Sequence, residues 1–299
     1  MADTSGWVQM SVAVPEAQVE AAEEALLAAG ALSVTLLDTD DVPVLEPAPG
    51  ETPLWPSVRV IGLFAADQDP AAVMGSLHNA LPVHLLDSFD WQELPDQDWT
   101  RKWMDEFQPQ RFGQRLWVVP GWCTPPDPTA VNLMLDPGLA FGTGNHPTTA
   151  LCLGWLESQV RGGERVLDFG CGSGILAIAA LKLGADTARG VDIDPQALTA
   201  TADNAAANGI EPPRLVATLP EGLAPDEGFD LVVANILANP LIELAPTLAA
   251  HLVPGGRFAL SGVLREQADA VADACRQAGL VIAEIESSGD WVLIHGRRD

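Results

Sequence analysis

Residues Val166-Leu167-Asp168-Phe169-Gly170-Cys171-Gly172-Ser173-Gly174 constrain the fold more than any other stretch of this chain. A short apolar run containing β-branched Val166 ends near an acid, and three glycines follow at alternate positions. Apolar residues at helical spacing then begin at once and run from Ile175 to Leu183. The pattern predicts the first strand of an open parallel sheet turning directly into a helix, with the turn's backbone presented to a ligand. Side chains at the glycines would block that approach, and some of the turns need a positive φ. A dinucleotide loop spaces its glycines G-x-G-x-x-G. Here the third glycine comes one residue early, and Ile175 holds the sixth place.

Two further strand ends point to the same sheet edge. Arg189-Gly190-Val191-Asp192-Ile193-Asp194-Pro195 reads as a second strand ending in acid and then a helix start. Proline is favoured at the first helical position, so Asp194 reads as the N-cap. That leaves Asp192 at the strand's carboxyl end, where an acid accepts ribose hydroxyls. Phe229-Asp230-Leu231-Val232-Val233-Ala234 is a buried-strand pattern running into Asn235-Ile236-Leu237-Ala238-Asn239-Pro240. Asn239 before a proline reads as a turn residue, whereas Asn235 is expected at the ligand edge. The D-x-G-x-G-x-G spacing resembles the cofactor loop of class I S-adenosylmethionine-dependent methyltransferases.

Composition excludes several classes of function. The longest apolar runs fall short of the roughly 20 residues needed to span a bilayer, so no membrane role is expected. Met1-Ala2-Asp3-Thr4-Ser5 has neither a positive region nor an apolar core and does not read as a secretory signal. Cys123, Cys152, Cys171 and Cys275 show no paired spacing, which argues against a zinc site or a disulfide framework and for a reducing cytoplasm. No metal is expected. The formal net charge is −26, and residues 1–100 hold 17 Asp and Glu against one basic residue, Arg59. Such a surface repels phosphate backbones, so nucleic acid is not expected as a direct ligand; a basic partner is.

The organisation is α/β in two parts. Residues 1–94 read as strand, helix, strand, strand, helix, strand: Trp7–Val14, 16–29, Leu32–Leu37, Val58–Ala65, Pro70–Ala80 and Val83–Trp91. That order is the ferredoxin-like α+β arrangement. Residues 95–129, with Trp99, Trp103 and Trp117 near Arg101, Lys102, Arg111 and Arg115, read as a packed interdomain connector. From 130 to 299 the pattern is a doubly wound, mostly parallel, seven-stranded sheet. Its last two strands are joined by a loop around Ser287-Ser288-Gly289, too short for a crossover, so they should form an antiparallel hairpin.

The segment Asp136-Pro137-Gly138-Leu139-Ala140-Phe141-Gly142-Thr143-Gly144-Asn145-His146-Pro147-Thr148-Thr149 sharpens the resemblance. With the glycine loop and Asn-Ile-Leu-Ala at 235–238, it resembles the ribosomal protein L11 methyltransferase (PrmA) family across essentially the whole chain. The resemblance implies an acidic ferredoxin-like substrate-recognition domain ahead of a class I methyltransferase sheet, with S-adenosylmethionine as cofactor. It also implies methylation of amino groups, those of lysine side chains and also the N-terminal amine, on a basic ribosomal protein, foremost large-subunit ribosomal protein L11. The family's cofactor contacts fall on Thr149, Gly170, Asp192 and Asn235. The Thr149 hydroxyl would reach the methionine carboxylate, and the Gly170 carbonyl the ammonium. Asn145 stands where the family often has Thr, and His146 reads as structural rather than as a base.

Lysine chemistry sets the catalytic requirement. Only the neutral amine attacks, and removing its proton at pH 7 costs about 4.6 kcal/mol from a reference pKa near 10.4. Asn235, the expected catalytic residue, and the carbonyls of Ile236 or Leu237 can accept amine hydrogens and aim the lone pair. The arrangement resembles the Asn-Pro-Pro-aromatic turn of other amine and amide methyltransferases, with Ile236 and Leu237 in place of the prolines. Trp291 reads either as a wall of the amine pocket or as a core residue. Methylation of a glutamine amide or small-molecule amine, or cofactor binding without catalysis, are the competing readings.

Overall fold

A computed structural model describes residues 6–39, 54–94, 107–136 and 146–299. The chain divides into two units, Met1–Arg101 and Lys102–Asp299.

In the first unit, β1 (Trp7–Pro15) buries every second residue, Val8, Met10, Val12 and Val14. A 3-10 turn then leads into α1 (Val19–Ala28), which turns Val19, Ala22, Ala25 and Leu26 onto the same core. Next come β2 (Ser33–Asp38), β3 (Ser57–Ala65) and α2 (Pro70–Ala80). Asp69 caps α2 by accepting from the Ala71 amide at 3.0 Å, with Pro70 at the first position. With β4 (Asp90–Leu94), the sheet order is β2-β3-β1-β4, and every neighbouring pair is antiparallel. That is the ferredoxin-like arrangement.

The expected strand Val83–Trp91 is corrected here. Residues Val83–Ser88 form a 3-10 turn, and the strand starts only at Asp90. The Ser88 hydroxyl accepts from the Ala13 amide at 2.9 Å, so a side chain satisfies β1 where a longer β4 would have paired. Residues 40–53, within the acidic proline-rich loop, lie outside the described residues, as do Trp99, Arg101, Lys102, Trp103 and Asn145.

The stretch read as a connector holds strands of the second unit. β5 (Gln110–Phe112) and β6 (Leu116–Val119) turn about Gly113, and β6 pairs parallel with β7 (Val131–Met134). Phe112, Leu116 and Val118 share a core with Leu153, Leu156 and Ile178. The runs are only three and four residues long, which is why their periodicity is weak in the sequence. Arg115 pairs with Glu157 at 3.0 Å rather than with a ligand.

The main sheet is built from β8 (Arg165–Phe169), β9 (Thr187–Val191), β10 (Leu215–Thr218), β11 (Phe229–Asn235), β12 (Leu252–Leu264), β13 (Leu280–Ser288) and β14 (Trp291–Arg298). Its order is β10-β9-β8-β11-β12-β14-β13, parallel except for the pairs involving β14. Helices α3 (Pro147–Gln159), α4 (Ile175–Leu183) and α5 (Pro195–Ala207) cover one face, and α6 (Ala238–His251) and α7 (Ala268–Gln277) the other. Two boundaries and one residue differ from the sequence reading. Asn239, read as a turn residue, instead lies in the first turn of α6. Pro254-Gly255-Gly256 is a bulge inside β12, because Phe229 pairs with Leu252 and Leu231 with Arg257. Helix α6 starts at Ala238, with Pro240 in its first turn, where a missing amide costs no hydrogen bond. Among the described residues, no helix is long and apolar enough to cross a membrane.

The chain winds outward from β8 through β9 and β10 on one side and through β11 and β12 on the other. The carboxyl ends of β8 and β11 therefore flank the switch point, where open α/β sheets hold ligands.

Candidate active site

The glycine loop leaves β8 and is held by its neighbours' polar groups. The Gly170 and Cys171 amides donate to the Val191 carbonyl at 2.7 and 3.0 Å. From α5, Thr201 Oγ1 donates to the Gly172 carbonyl at 3.0 Å and Asn204 Nδ2 to the Ser173 carbonyl at 2.8 Å. Asp192 follows β9. Its Oδ2 accepts from the Gly172 amide at 2.9 Å and its Oδ1 from the Asp194 amide at 3.0 Å. The side chain is thereby locked beside the loop, and its remaining lone pairs can accept ligand hydroxyls. Asp194 turns the other way and caps α5, accepting from the Gln196 amide at 2.8 Å.

Across the switch point, Asn235 ends β11, and its Nδ2 donates to Thr149 Oγ1 at 3.1 Å. Thr149 is fully buried in the first turn of α3. The bond commits the amino end of the carboxamide and leaves its oxygen end to accept. His146 caps the same helix, its Nδ1 2.7 Å from Thr148 Oγ1 and accepting from the Thr148 amide at 3.4 Å. Burial holds the imidazole below its ordinary pKa, in the neutral form that a cap requires. The Trp291 indole meets the His146 ring edge-on, with centroids 4.7 Å apart.

These groups surround one cavity of about 660 Å³. Thr149, Gly170, Asp192 and Asn235 all line it, as do His146 and Trp291. Its walls are otherwise mostly apolar, with Ile193, Pro220, Leu237 and Leu244 among them. Behind the loop, Asp168 is fully buried and accepts from the Ala177 amide at 3.0 Å, and among the described residues its Oδ1 has no hydrogen-bond partner. Burial pushes this carboxyl up to about 7, and the nearby Asp192 charge adds to the rise. Burial likewise pushes the Cys171 thiol up to about 12, which makes it inert at neutral pH.

The sequence reading passed over Gly262, which lines the same cavity from β12. Its φ is +85°, and an added Cβ would lie 2.3 Å from the Ile236 carbonyl oxygen. An isolated glycine inside the strand pattern Phe258–Leu264 was the available signal, because such glycines mark bulges and close backbone approaches. The β12–β14 register does shift between Leu260 and Val263. Elsewhere, Glu284, Glu286 and His295 bring ligand-type atoms within 4.8 Å of one another on the β13–β14 hairpin. His295 Nε2 lies 3.0 Å from Glu286 Oε1, a contact that is an ion pair only when the imidazole is protonated.

A nucleoside joined to an amino acid fits this cavity. The cavity offers fixed loop backbone, a locked carboxylate and an apolar ledge on one side, and hydroxyl and amide groups at a helix N-terminus on the other. The sheet order and this site define a class I S-adenosylmethionine-dependent methyltransferase. The family model described as ribosomal protein L11 methyltransferase (PrmA) matches residues 6–299. The chain belongs to that family. It is 53% identical over 296 residues to the ribosomal protein L11 methyltransferase of Pseudomonas paraeruginosa, an alignment that covers 98% of each chain. It is equally similar to that of Azotobacter vinelandii, covering 98% of this chain and 99% of the relative. The crystal structure of a ribosomal protein L11 methylase from Lactobacillus delbrueckii subsp. bulgaricus superposes with a TM-score of 0.58 at 35% identity, over 64% of this chain and 99% of the other.

Proposed function

We propose that the enzyme transfers methyl groups from S-adenosylmethionine to lysine amino groups of ribosomal protein L11, or of a similarly basic ribosomal protein, in the cytoplasm. The names of relatives matched over nearly the whole chain support the substrate, and the acid excess of residues 1–100 suits a basic one. The same excess opposes RNA, so the free protein rather than an RNA-bound form is the expected partner.

The observation that carries the chemistry is the Asn235 carboxamide, fixed by Thr149 at the cavity wall. When bound, the cofactor supplies a methyl already activated on a sulfonium. This chain's residues then have to hold and align a neutral amine. In the reading favoured here, Asp192 holds the ribose, Thr149 and the Gly170 carbonyl hold the amino-acid end, and the Asn235 oxygen accepts an amine hydrogen and directs the lone pair. The amine leaves its proton in solvent before it enters; His146 is committed as a helix cap, so it is not assigned the base role. Trp291 and the apolar wall give a growing alkylammonium room and an aromatic surface.

The test is to incubate the enzyme with labelled S-adenosylmethionine and a mixture of ribosomal proteins, then map the label by peptide mass spectrometry. Label on lysines of L11 is expected. Label on glutamine amides, or on no protein at all, would overturn the assignment.

A further inference from the structure

The turn that carries Asn235 into α6 runs through Ile236 and Leu237 without a proline, and neighbouring backbone holds it in place. Ile236 follows Asn235 and sits between two glycines, one in the loop after β8 and one inside β12. On one side is Gly170, φ +79°, where an added Cβ would lie 2.2 Å from Ile236 Cγ2. On the other is Gly262, where an added Cβ would lie 2.3 Å from the Ile236 carbonyl oxygen, 2.7 Å from its carbon and 3.0 Å from its nitrogen. The Ile236 amide donates to the Ser261 carbonyl at 3.1 Å. Ser261 is itself fully buried and ties β12 to β14 through the Val292 carbonyl at 2.8 Å, next to Trp291.

The two contacts differ in kind. Gly170 meets a side chain, which a substitution at 236 can shorten. Gly262 meets backbone, and the carbonyl it accommodates is one of the two that the sequence offers as acceptors of an amine hydrogen. From this geometry we propose that Gly262 and Ile236 are positioning residues for methyl transfer. They form a clasp that fixes the Asn235 carboxamide and the Ile236 carbonyl relative to the cofactor loop. The proposal rests on the amine-methylation reading for its kinetic consequence, but not for its structural one. Leu237 already has φ −63°, the value a proline ring imposes.

The test uses the full chain carrying Gly262→Ala, Ile236→Ala, and Ile236→Ala combined with Leu237→Pro. The first readout needs no substrate: amide-hydrogen exchange at Ile236. Protection is expected in the unaltered protein and should be lost in Gly262→Ala; unchanged protection in that variant overturns the clasp, whatever the enzyme methylates. The second readout is kinetic. Gly262→Ala and Ile236→Ala should lower kcat on the order of 10–100-fold, as misplacement near 1 Å does, with S-adenosylmethionine affinity within about threefold. Adding Leu237→Pro should recover a large part of the kcat lost in Ile236→Ala. Loss of melting temperature with kcat intact would make the contact merely structural and overturn the positioning role. An unaltered enzyme that labels no lysine would instead refute the substrate reading, while the exchange result still decides the clasp.

Discussion

The Asn235 carboxamide donates to the Thr149 hydroxyl at 3.1 Å, joining residues 86 positions apart across the switch point of the sheet. One hydrogen bond therefore couples the end of β11, where we propose the amine is aligned, to the N-terminal turn of α3, where we propose the amino-acid end of the cofactor lies. Asn235→Ala should lower turnover far more than it weakens cofactor binding, because an acceptor aligned in the transition state is lost. Thr149→Val keeps the shape but removes the hydroxyl, and it should lower turnover through the freed Asn235. The double variant should then lose much less than the two single losses combined. Additive losses in kcat would show that the two side chains act independently.

Asp192 and Asp194 lie two residues apart and differ in what they hold. Asp192→Ala should weaken S-adenosylmethionine binding at least about tenfold, since hydrogen bonds to a charged acceptor contribute roughly 1.5–3 kcal/mol each. Asp194→Ala should leave affinity nearly unchanged and cost about 1 kcal/mol of stability, as a lost helix cap does. Calorimetric titration and thermal melting of both variants separate these outcomes, and the reverse pattern would exchange the two roles.

Asp168 should make the cofactor-free protein's stability fall with pH. In the unfolded chain an aspartate titrates near 3.9, and in the fold burial lifts Asp168 to about 7. Between those values the folded state holds a proton that the unfolded state has lost. Stability is then highest at low pH, declines as pH rises toward about 7, and is flat for this group above it. Asp168→Asn preserves an acceptor for the Ala177 amide and cannot ionise. Its melting temperature should gain on the unaltered protein between about pH 4 and pH 7 and hold a constant lead above that. Parallel curves would show that the buried carboxyl does not hold its proton.

Charge in the first unit should govern encounter with the protein substrate rather than with the cofactor. Glu20 and Glu24 are exposed one turn apart on α1, so Glu20→Lys with Glu24→Lys reverses the sign of one ridge without touching the core. This variant should raise KM for the basic substrate and flatten its dependence on salt. The unaltered enzyme should lose association rate as ionic strength rises and the Debye length falls toward about 8 Å. Cofactor affinity should stay unchanged in both. A salt-insensitive KM would point to shape and apolar contacts as the basis of recognition.

By itself the sequence determined whatever depends on local pattern. The glycine loop, the acid ending the second strand, the cap at Asp194 and the ferredoxin-like element order are written in residues close together in the chain. Their backbone geometry follows from φ preferences, capping and periodicities of two or 3.6 residues. Short or locally ambiguous segments were less legible. The runs at Gln110–Phe112 and Leu116–Val119 carry too few residues for periodicity, and Val83–Ser88 was withdrawn from the sheet by the Ser88 hydroxyl bonding to β1.

Only the tertiary structure decided which distant groups meet. Nothing near Thr149 in sequence announces Asn235, nothing near Ile236 announces Gly262, and the pKa of Asp168 depends on burial between β9 and β11 and beneath α4. Those relations are distances between strands and helices far apart in the chain. They exist only once the apolar faces of the sheet have packed, because packing sets where each strand end lies to within a fraction of an ångström.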